Sequence, residues 1–386
     1  MAVAFFTPIT GATGGALIGL SAASLLILSG DVLGASGLCS SVLLQPKKAL
    51  SDPSMAWKIV FLAVFLLLSN LALAPHFTND ARLGTDPGIP VVSIWGYLLG
   101  GFFVGFGTRL GNGCTTGHGI CGMARLSIRS MAAVCTFMLS AICTALVVAP
   151  DNQAFANGTA WLRTDKVPVL YNRWLGFGVS MVIVLPALYA LYNMFFKDAP
   201  TEASSDTEKD IEAVENPSST QPSTSYGAFN KTETDSTTGS QENSSSGNTG
   251  VSDVGSEQER RDNVRKLYSA VLASMIFATG LAVSGMVLPS KIAGFLNLFL
   301  IAEGTYDPTL LTVMIGGCIV SMISYQFVKP FSLLFSEDSK SRWALEKPLL
   351  TSKFSIPCNR LVDAQLIGGA FSFGIGWGLA NLCPGP

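Results

Sequence analysis

Two segments far apart in this chain have nearly the same sequence. Residues 100–114 read GGFFVGFGTRLGNGC, and residues 369–383 read GAFSFGIGWGLANLC. Aligned without a gap, 7 of their 15 positions are identical, and both copies end in Asn-x-Cys. Each copy is apolar and glycine-rich, a composition typical of helices that pack closely within a lipid bilayer. The duplication therefore predicts two related membrane halves that face one central site, with a thiol from each half.

The composition of the chain sets its class. Hydrophobic residues make up 49% of the sequence and charged residues 13%, although a long polar stretch is included in both figures. Outside that stretch, several windows approach the roughly 20 apolar residues that a helix needs to cross a bilayer. These windows are residues 10–29, 57–74, 93–110, 130–149, 174–196, 267–288, 309–328 and 364–380. The sequence thus predicts an all-α polytopic membrane protein, and its net charge of −2 gives no indication of a nucleic-acid partner.

A polar linker divides the chain into two membrane halves. Residues 197–262 are rich in Ser, Thr, Asn and Glu and have almost no large apolar side chains, which predicts disorder. The first half, residues 1–196, has about five spans, and the second, residues 263–386, has about three. Since five is odd, the second half enters the membrane upside down relative to the first. A second pair of similar segments, SGDVL at 29–33 and SGMVL at 284–288, supports an inverted repeat.

Loop charges predict the orientation of the chain. Lysine and arginine cluster in the loops around residues 47–58, 125–129, 260–266 and 340–360, and the intervening loops are poorer in positive charge. Counting spans places all the basic loops on one side, which the positive-inside tendency makes cytoplasmic. We therefore expect a multi-pass protein, of the plasma membrane, with an outside N-terminus and a cytosolic linker.

Four further segments are too short or too interrupted to span, yet too apolar to be ordinary loops. They are residues 32–44, 111–123, 290–301 and the segment that opens at Asn381. Irregular backbone at membrane depth is tolerated only where it is buried in protein or lines a watery cavity. We predict that these segments are re-entrant broken helices, whose N-termini favour a bound anion at the centre.

The re-entrant segments contain the cysteines of interest. Cys39, Cys114, Cys121 and Cys383 lie in these segments, whereas Cys135, Cys143, Cys318 and Cys358 are interpreted as packing or loop residues. A thiol is polarisable and a weak donor, so it suits a soft sulfur atom better than hard oxyanion oxygens. Cys114 and Cys383 are the strongest candidates because the repeat places them equivalently, each two residues after an asparagine, Asn112 and Asn381.

His118 lies between two glycines in the second re-entrant segment. It is interpreted either as a proton-linked site or anion donor, or as a side chain that binds backbone carbonyls. The spacing C-x3-H-x2-C formed by Cys114, His118 and Cys121 would also suit zinc, but a fourth ligand is not apparent nearby. We therefore predict neither a metal nor another cofactor.

The same motifs resemble those of a known family. GNGCTTGHGICGMARLS at 111–127, followed by Arg129-Ser130, resembles the signature of the YeeE/YedE sulfur-transport family. In the second half, SGMVLPSKIAGFLNLF, YDPTLLTVMIGG and GGAFSFGIGWGLANLCPGP resemble the companion half of its two-part permeases. The resemblance implies uptake of thiosulfate or a related compound, with intramembrane cysteines contacting the ion. The first half continues past its cysteine motif with another span, whereas the second ends at Pro386, so a last span is expected to be lacking.

The sequence therefore predicts a membrane transporter, not an enzyme, that carries a small inorganic sulfur anion across the lipid bilayer. The expected pathway residues are Cys39, Asn112, Cys114, His118, Cys121, Asn381 and Cys383. Two alternatives remain open. A membrane thiol oxidoreductase or sulfurtransferase would use the cysteines as nucleophiles, and would be expected to have a close cysteine pair or a soluble catalytic domain. A non-transporting scaffold or sensor would act through the linker.

Overall fold

The structure is a computed structural model that describes most of both membrane halves. The described residues are 6–79, 91–148, 163–164, 182–187, 189, 250–287, 289–328, 345–356 and 361–381. Most of the predicted fifth span, most of the predicted linker and Cys383 lie outside these residues.

The first half consists of helices that match the predicted spans and re-entrant segments. Its elements are α1 (Pro8–Ser29), α2 (Ala35–Leu44), α3 (Pro46–Ser51), a 3-10 turn (Pro53–Met55), α4 (Ala56–Asn79), α5 (Ile94–Leu110), a π-helix (Thr115–Gly122) and α6 (Ile128–Val148). Two short strands, β1 (Val91–Val92) and β2 (Arg163–Thr164), pair antiparallel over two residues each. Helix α2 and the π-helix fall within the predicted re-entrant segments 32–44 and 111–123.

The second half contains α7 (Gly250–Ser284), α8 (Pro289–Leu296), α9 (Phe299–Ala302), α10 (Thr309–Gln326) and α11 (Ala364–Ala380). Helix α7 begins at Gly250, so the prediction of disorder is wrong for residues 250–262. Their side chains support a helix locally, because Arg261 pairs with Glu257 at 2.8 Å, an i,i+4 ion pair. They are also anchored in the fold, since Asp262 accepts a hydrogen bond from the backbone amide of Ser352 at 3.2 Å.

Four of the described helices are long and apolar enough to cross a bilayer. They are α1, α6, residues 257–284 of α7, and α10. Helices α5 and α11 have 17 residues each, just under the length that a perpendicular span needs. Together with the short apolar helix α2, these elements make the protein an all-α polytopic membrane protein.

Helices of the two halves pack on one another. Helix α1 packs against α7 and α10, and α4 packs against α7. In a second group, α11 packs between α5 and α6, and the π-helix contacts both α6 and α10. The main core includes residues from both halves, among them Phe61, Phe137, Phe277, Phe373 and Trp377. The halves therefore form one interleaved core and do not stand as separate lobes.

The duplicated segments pack against each other in opposite directions. A Cβ on Gly107 would lie 2.3 Å from the amide nitrogen of Phe373, and one on Gly100 would lie 2.6 Å from the Cβ of Ala380. Position 107 thus lies beside the middle of α11 and position 100 beside its end, so α5 and α11 are antiparallel. Helices α1 and α7, the other repeated pair, are also antiparallel, because Gly14 adjoins Ser284 while Ser21 donates to the carbonyl of Ala273 at 2.6 Å. Both pairings are those of an inverted repeat.

Candidate functional site

The two re-entrant segments of the first half meet in the interior. The hydroxyl of Thr116, in the π-helix, accepts a hydrogen bond from the backbone amide of Ala35, the first residue of α2, at 3.1 Å. The thiol of Cys121 donates to the carbonyl of Leu33 at 3.4 Å. These bonds satisfy a backbone donor at a helix start and a backbone acceptor in the preceding loop, groups that are costly to leave unpaired away from water.

Three of the four predicted pathway cysteines gather at this junction. Cys114 and Cys121 are fully buried and Cys39 is half-buried, and all three thiols are free. The thiol of Cys114 contacts the Thr116 hydroxyl at 3.1 Å, and the same hydroxyl bonds the first residue of α2, the helix that contains Cys39. Cys383, the fourth cysteine, lies outside the described residues.

The remaining described cysteines separate into two kinds. Cys135 and Cys143 are exposed on α6, away from the junction, so they do not pack in the interior. Cys318 on α10 is half-buried, and its thiol donates to the carbonyl of Gly119 in the π-helix at 3.1 Å. Cys318 therefore joins α10 to the π-helix. Its interpretation as a packing residue did not predict this hydrogen bond.

His118 joins the π-helix to the C-terminal end of α5 and to the first turn of α6. One ring nitrogen lies 3.1 Å from the carbonyl of Gly111, and the other lies 3.2 Å from the hydroxyl of Ser130. The contact with Gly111 is the one expected if His118 binds a backbone carbonyl. Both ring nitrogens are engaged, and among the described residues no group of three His, Cys, Asp or Glu side chains could hold a metal ion.

The repeated asparagines end the repeated helices. Asn112 follows α5 with a φ of 55°, and Asn381 caps α11 with a φ of 52°, both in the left-handed region. Asparagine tolerates this conformation better than most residues, which explains its presence at both positions. Gly30 and Gly285, which belong to the second pair of similar segments, also have left-handed backbones, with φ values of 76° and 70°. The repeated segments thus share left-handed backbone positions as well as sequence.

A cavity of about 510 Å³ opens beside the junction. Its lining comes from the loop before α2 and its first turns, from the end of α5, from the π-helix and from the start of α6. Asn112 and His118 line it directly, whereas Cys39, Cys114 and Cys121 are not among its lining residues. Four basic side chains also line it: Lys58, Arg109, Arg125 and Arg129.

The basic end of the molecule is tied together by ion pairs. Lys266 at the start of the apolar part of α7 pairs with Asp31 at 3.2 Å, and Arg129 pairs with Asp363 at 3.5 Å. Asp363 also caps α11, and the hydrogen bond from the Leu366 amide lowers the pKa of its carboxyl group. The basic clusters that gave the predicted orientation therefore converge on one end of the helix bundle.

Sequence reasoning missed several residues of this site. Thr116 bonds Ala35 and contacts Cys114, and Ser130 contacts His118. The sequence does not single out either residue, because isolated hydroxyl side chains are common in apolar segments. The sequence indicates a role for Lys58, Arg125 and Arg129 only in the orientation of the chain in the membrane. Arg109 did carry a signal, since it occupies the position of Gly378 in the other copy of an otherwise apolar repeat.

The membrane-spanning helices, the re-entrant segments and the polar cavity that they line define an integral membrane transporter. Comparison with known proteins gives its family. A family model described as sulphur transport matches residues 3–144, and one described as a family of unknown function (DUF6691) matches residues 265–386. A probable transporter of Xylella fastidiosa (strain Temecula1) is 37% identical over 133 residues, which are 34% of this chain and 88% of that protein. A probable transporter from strain 9a5c is 32% identical over 117 residues, which are 30% of this chain and 68% of that protein.

The chain belongs to the YeeE/YedE family of sulphur transporters, with the two parts fused in one polypeptide. No solved structure matches it.

Proposed function

We propose that this protein takes up thiosulfate, or a closely related inorganic sulfur anion, along a pathway that passes between the two re-entrant segments of the first half. The observation that carries the proposal is the convergence of three free thiols, those of Cys39, Cys114 and Cys121, at the point where these segments meet. Cys383 would contribute the equivalent thiol from the second half.

The chemistry of the junction favours a sulfur anion over an ordinary oxyanion. Thiosulfate has a terminal sulfur that is soft and polarisable, and a cysteine side chain offers both a polarisable atom and a weak S–H donor. A site that buries a dehydrated sulfate ion would instead be expected to present several strong N–H or O–H donors, and the hydrogen-bond partner described for Cys114 is the Thr116 hydroxyl.

The buried state of the thiols fits a closed conformation of the pathway. Cys114 and Cys121 have exposed fractions of only 1% each, so an ion reaches them only when the re-entrant segments part. A π-helix is rare and is found disproportionately at functional sites. We propose that residues 115–122 rearrange during transport, with His118 releasing the Gly111 carbonyl.

The test is uptake of radiolabelled thiosulfate into proteoliposomes that contain the purified protein. Saturable uptake above that of empty liposomes supports the proposal, and competition by unlabelled sulfite, sulfide and sulfate then ranks the substrates. Saturable uptake of sulfate with none of thiosulfate would overturn the proposed substrate while leaving the transporter class intact.

A further inference from the structure

The cavity has a net positive charge, because four basic side chains and one carboxylate, that of Asp31, line it. Of its four basic residues, Arg129 pairs with Asp363 at 3.5 Å, and Asp31, the acidic residue in the lining, pairs with Lys266 at 3.2 Å. Among the described residues, neither Lys58 nor Arg109 forms an ion pair with a carboxylate. Lys58 contacts the Ser41 hydroxyl at 3.3 Å and lies 5.8 Å above the ring of Trp57, and both neighbours line the same cavity.

Neutral donors line the cavity around these charges. Ser36 and Gly37 are in the first turn of α2, where backbone amides have no acceptor within the helix, and both residues face the cavity. The lining also includes hydroxyl and amide side chains, namely Thr108, Asn112, Ser127 and Ser130. Cationic side chains together with free amides and hydroxyls are the donor set that binds tetrahedral oxyanions.

We infer that this cavity is a vestibule that binds divalent tetrahedral oxyanions, and that Lys58 and Arg109 are its principal charge contacts. The volume of about 510 Å³ admits such an ion with part of its hydration shell, so the vestibule recognises charge and not the terminal sulfur. Selection for sulfur then falls to the thiols at the re-entrant junction. Sulfate therefore binds here as well as thiosulfate does, although only thiosulfate passes between the cysteines and the vestibule. The passage of thiosulfate past the cysteines rests on the proposed function, whereas anion binding in the vestibule does not.

The direct test is isothermal titration of the purified full chain with sodium thiosulfate and, separately, sodium sulfate, each at constant ionic strength set with sodium chloride. We expect both anions to bind with affinities within a few-fold of each other. The double variant Lys58→Gln/Arg109→Gln removes two charge-assisted contacts and should weaken the binding of both anions at least about tenfold. The matched control is Arg261→Gln, because Arg261 is an exposed basic residue outside the cavity. Unchanged sulfate binding in the folded double variant would overturn the vestibule.

A substitute variant and a comparison of two lipids complete the binding experiment. If the double glutamine variant fails to purify as a monodisperse protein, Arg109→Gln alone, at an exposed position, serves in its place with the same expected direction. Titrations in nanodiscs of neutral lipid and of phosphatidylglycerol separate a free anion from a lipid headgroup. Equal sulfate affinity in both lipids supports the free anion, whereas loss of sulfate binding in the anionic lipid identifies a headgroup as the occupant and overturns the proposal.

Failure of the vestibule and failure of the proposed function give different results. Thiosulfate uptake that depends on Cys114, combined with anion binding that is insensitive to Lys58 and Arg109, refutes the vestibule alone. Anion binding that is lost in the double variant, combined with no saturable uptake by the wild-type protein, refutes the transport proposal alone.

Discussion

The hydroxyl of Thr116 accepts a hydrogen bond from the backbone amide of Ala35 at 3.1 Å, across 81 residues of sequence. This bond ties the start of α2 to the π-helix, and the same hydroxyl contacts the Cys114 thiol at 3.1 Å. Thr116 therefore links the start of α2, the π-helix and the Cys114 thiol at the proposed pathway.

Replacing Thr116 with valine should loosen the junction with little change in volume. Thr116→Val leaves the Ala35 amide without its acceptor in a buried position, which costs about 1 to 3 kcal/mol. We expect a lower midpoint temperature for loss of the monodisperse peak in detergent, together with reduced thiosulfate uptake. Thr136→Val is the control, because the Thr136 hydroxyl bonds only the Ala132 carbonyl one turn before it in α6. Equal stability and uptake of the two variants would contradict the role of Thr116.

The crossing of α5 and α11 gives a prediction about glycine. Gly107→Ala would place a Cβ 2.3 Å from the Phe373 amide nitrogen, within the backbone of the facing helix, so the two helices must separate. We expect a clear loss of thermal stability. Gly101→Ala, six residues earlier on α5, meets no atom within 4 Å and should be neutral or slightly stabilising because alanine favours helix. The opposite order of stabilities would refute the close antiparallel packing.

A buried ion pair holds the re-entrant helix of the second half. The Lys291 ammonium lies 3.0 Å from the Asp307 carboxylate, with both side chains nearly inaccessible, and it also contacts the Thr7 hydroxyl at 3.2 Å. Lys291→Met leaves the Asp307 charge buried and unpaired, which costs about 3 to 5 kcal/mol. The double variant Lys291→Met/Asp307→Asn removes both charges and should recover much of the thermal stability. A double variant no more stable than the single one would contradict pairing as the origin of the loss.

The orientation can be tested by cysteine labelling. A hydrogen bond from the Ser352 amide to Asp262 and a backbone bridge between Asp31 and Ser355 place the loop of residues 345–356 at the basic end, and we propose that this end faces the cytosol. Lys353→Cys should react with a membrane-impermeant maleimide only in inside-out vesicles, and Glu303→Cys, before α10 at the opposite end, only in intact cells. Both positions are exposed, and the labelling of the wild-type protein is the background to subtract. The reversed pattern would invert the topology.

Much of the fold could be predicted because membrane helices are specified locally by apolar length. Residues 364–380 were predicted as a span and form α11 with the same bounds, and α1 and α5 begin within two residues of their predictions. The duplicated segments and the odd span count predicted the antiparallel orientation of α5 relative to α11, but not their direct packing. The helical start of α7 was missed because residues 250–262 are polar, and their helix depends on ion pairs and on contacts such as that of Asp262 with Ser352.

The candidate site was less predictable because it is made of contacts between distant segments. The cysteines and asparagines could be identified since they repeat or interrupt apolar runs. The structure gives the asparagines a conformational role, as left-handed helix ends, in addition to any contact with an ion. No local pattern indicates that Thr116 would reach Ala35, or that Arg109 would share a cavity with Lys58 from another helix.

The central claim, that thiols at the re-entrant junction carry a sulfur anion, is tested most directly by thiosulfate uptake into proteoliposomes containing single serine variants. Cys114→Ser keeps a donor of similar size but replaces sulfur with a harder, less polarisable oxygen, so the uptake rate should fall at least about tenfold while the protein reconstitutes normally. Cys383→Ser should behave alike, and Cys135→Ser, at an exposed position on α6, should retain the wild-type rate. Wild-type uptake by the Cys114→Ser/Cys383→Ser double variant would contradict the account.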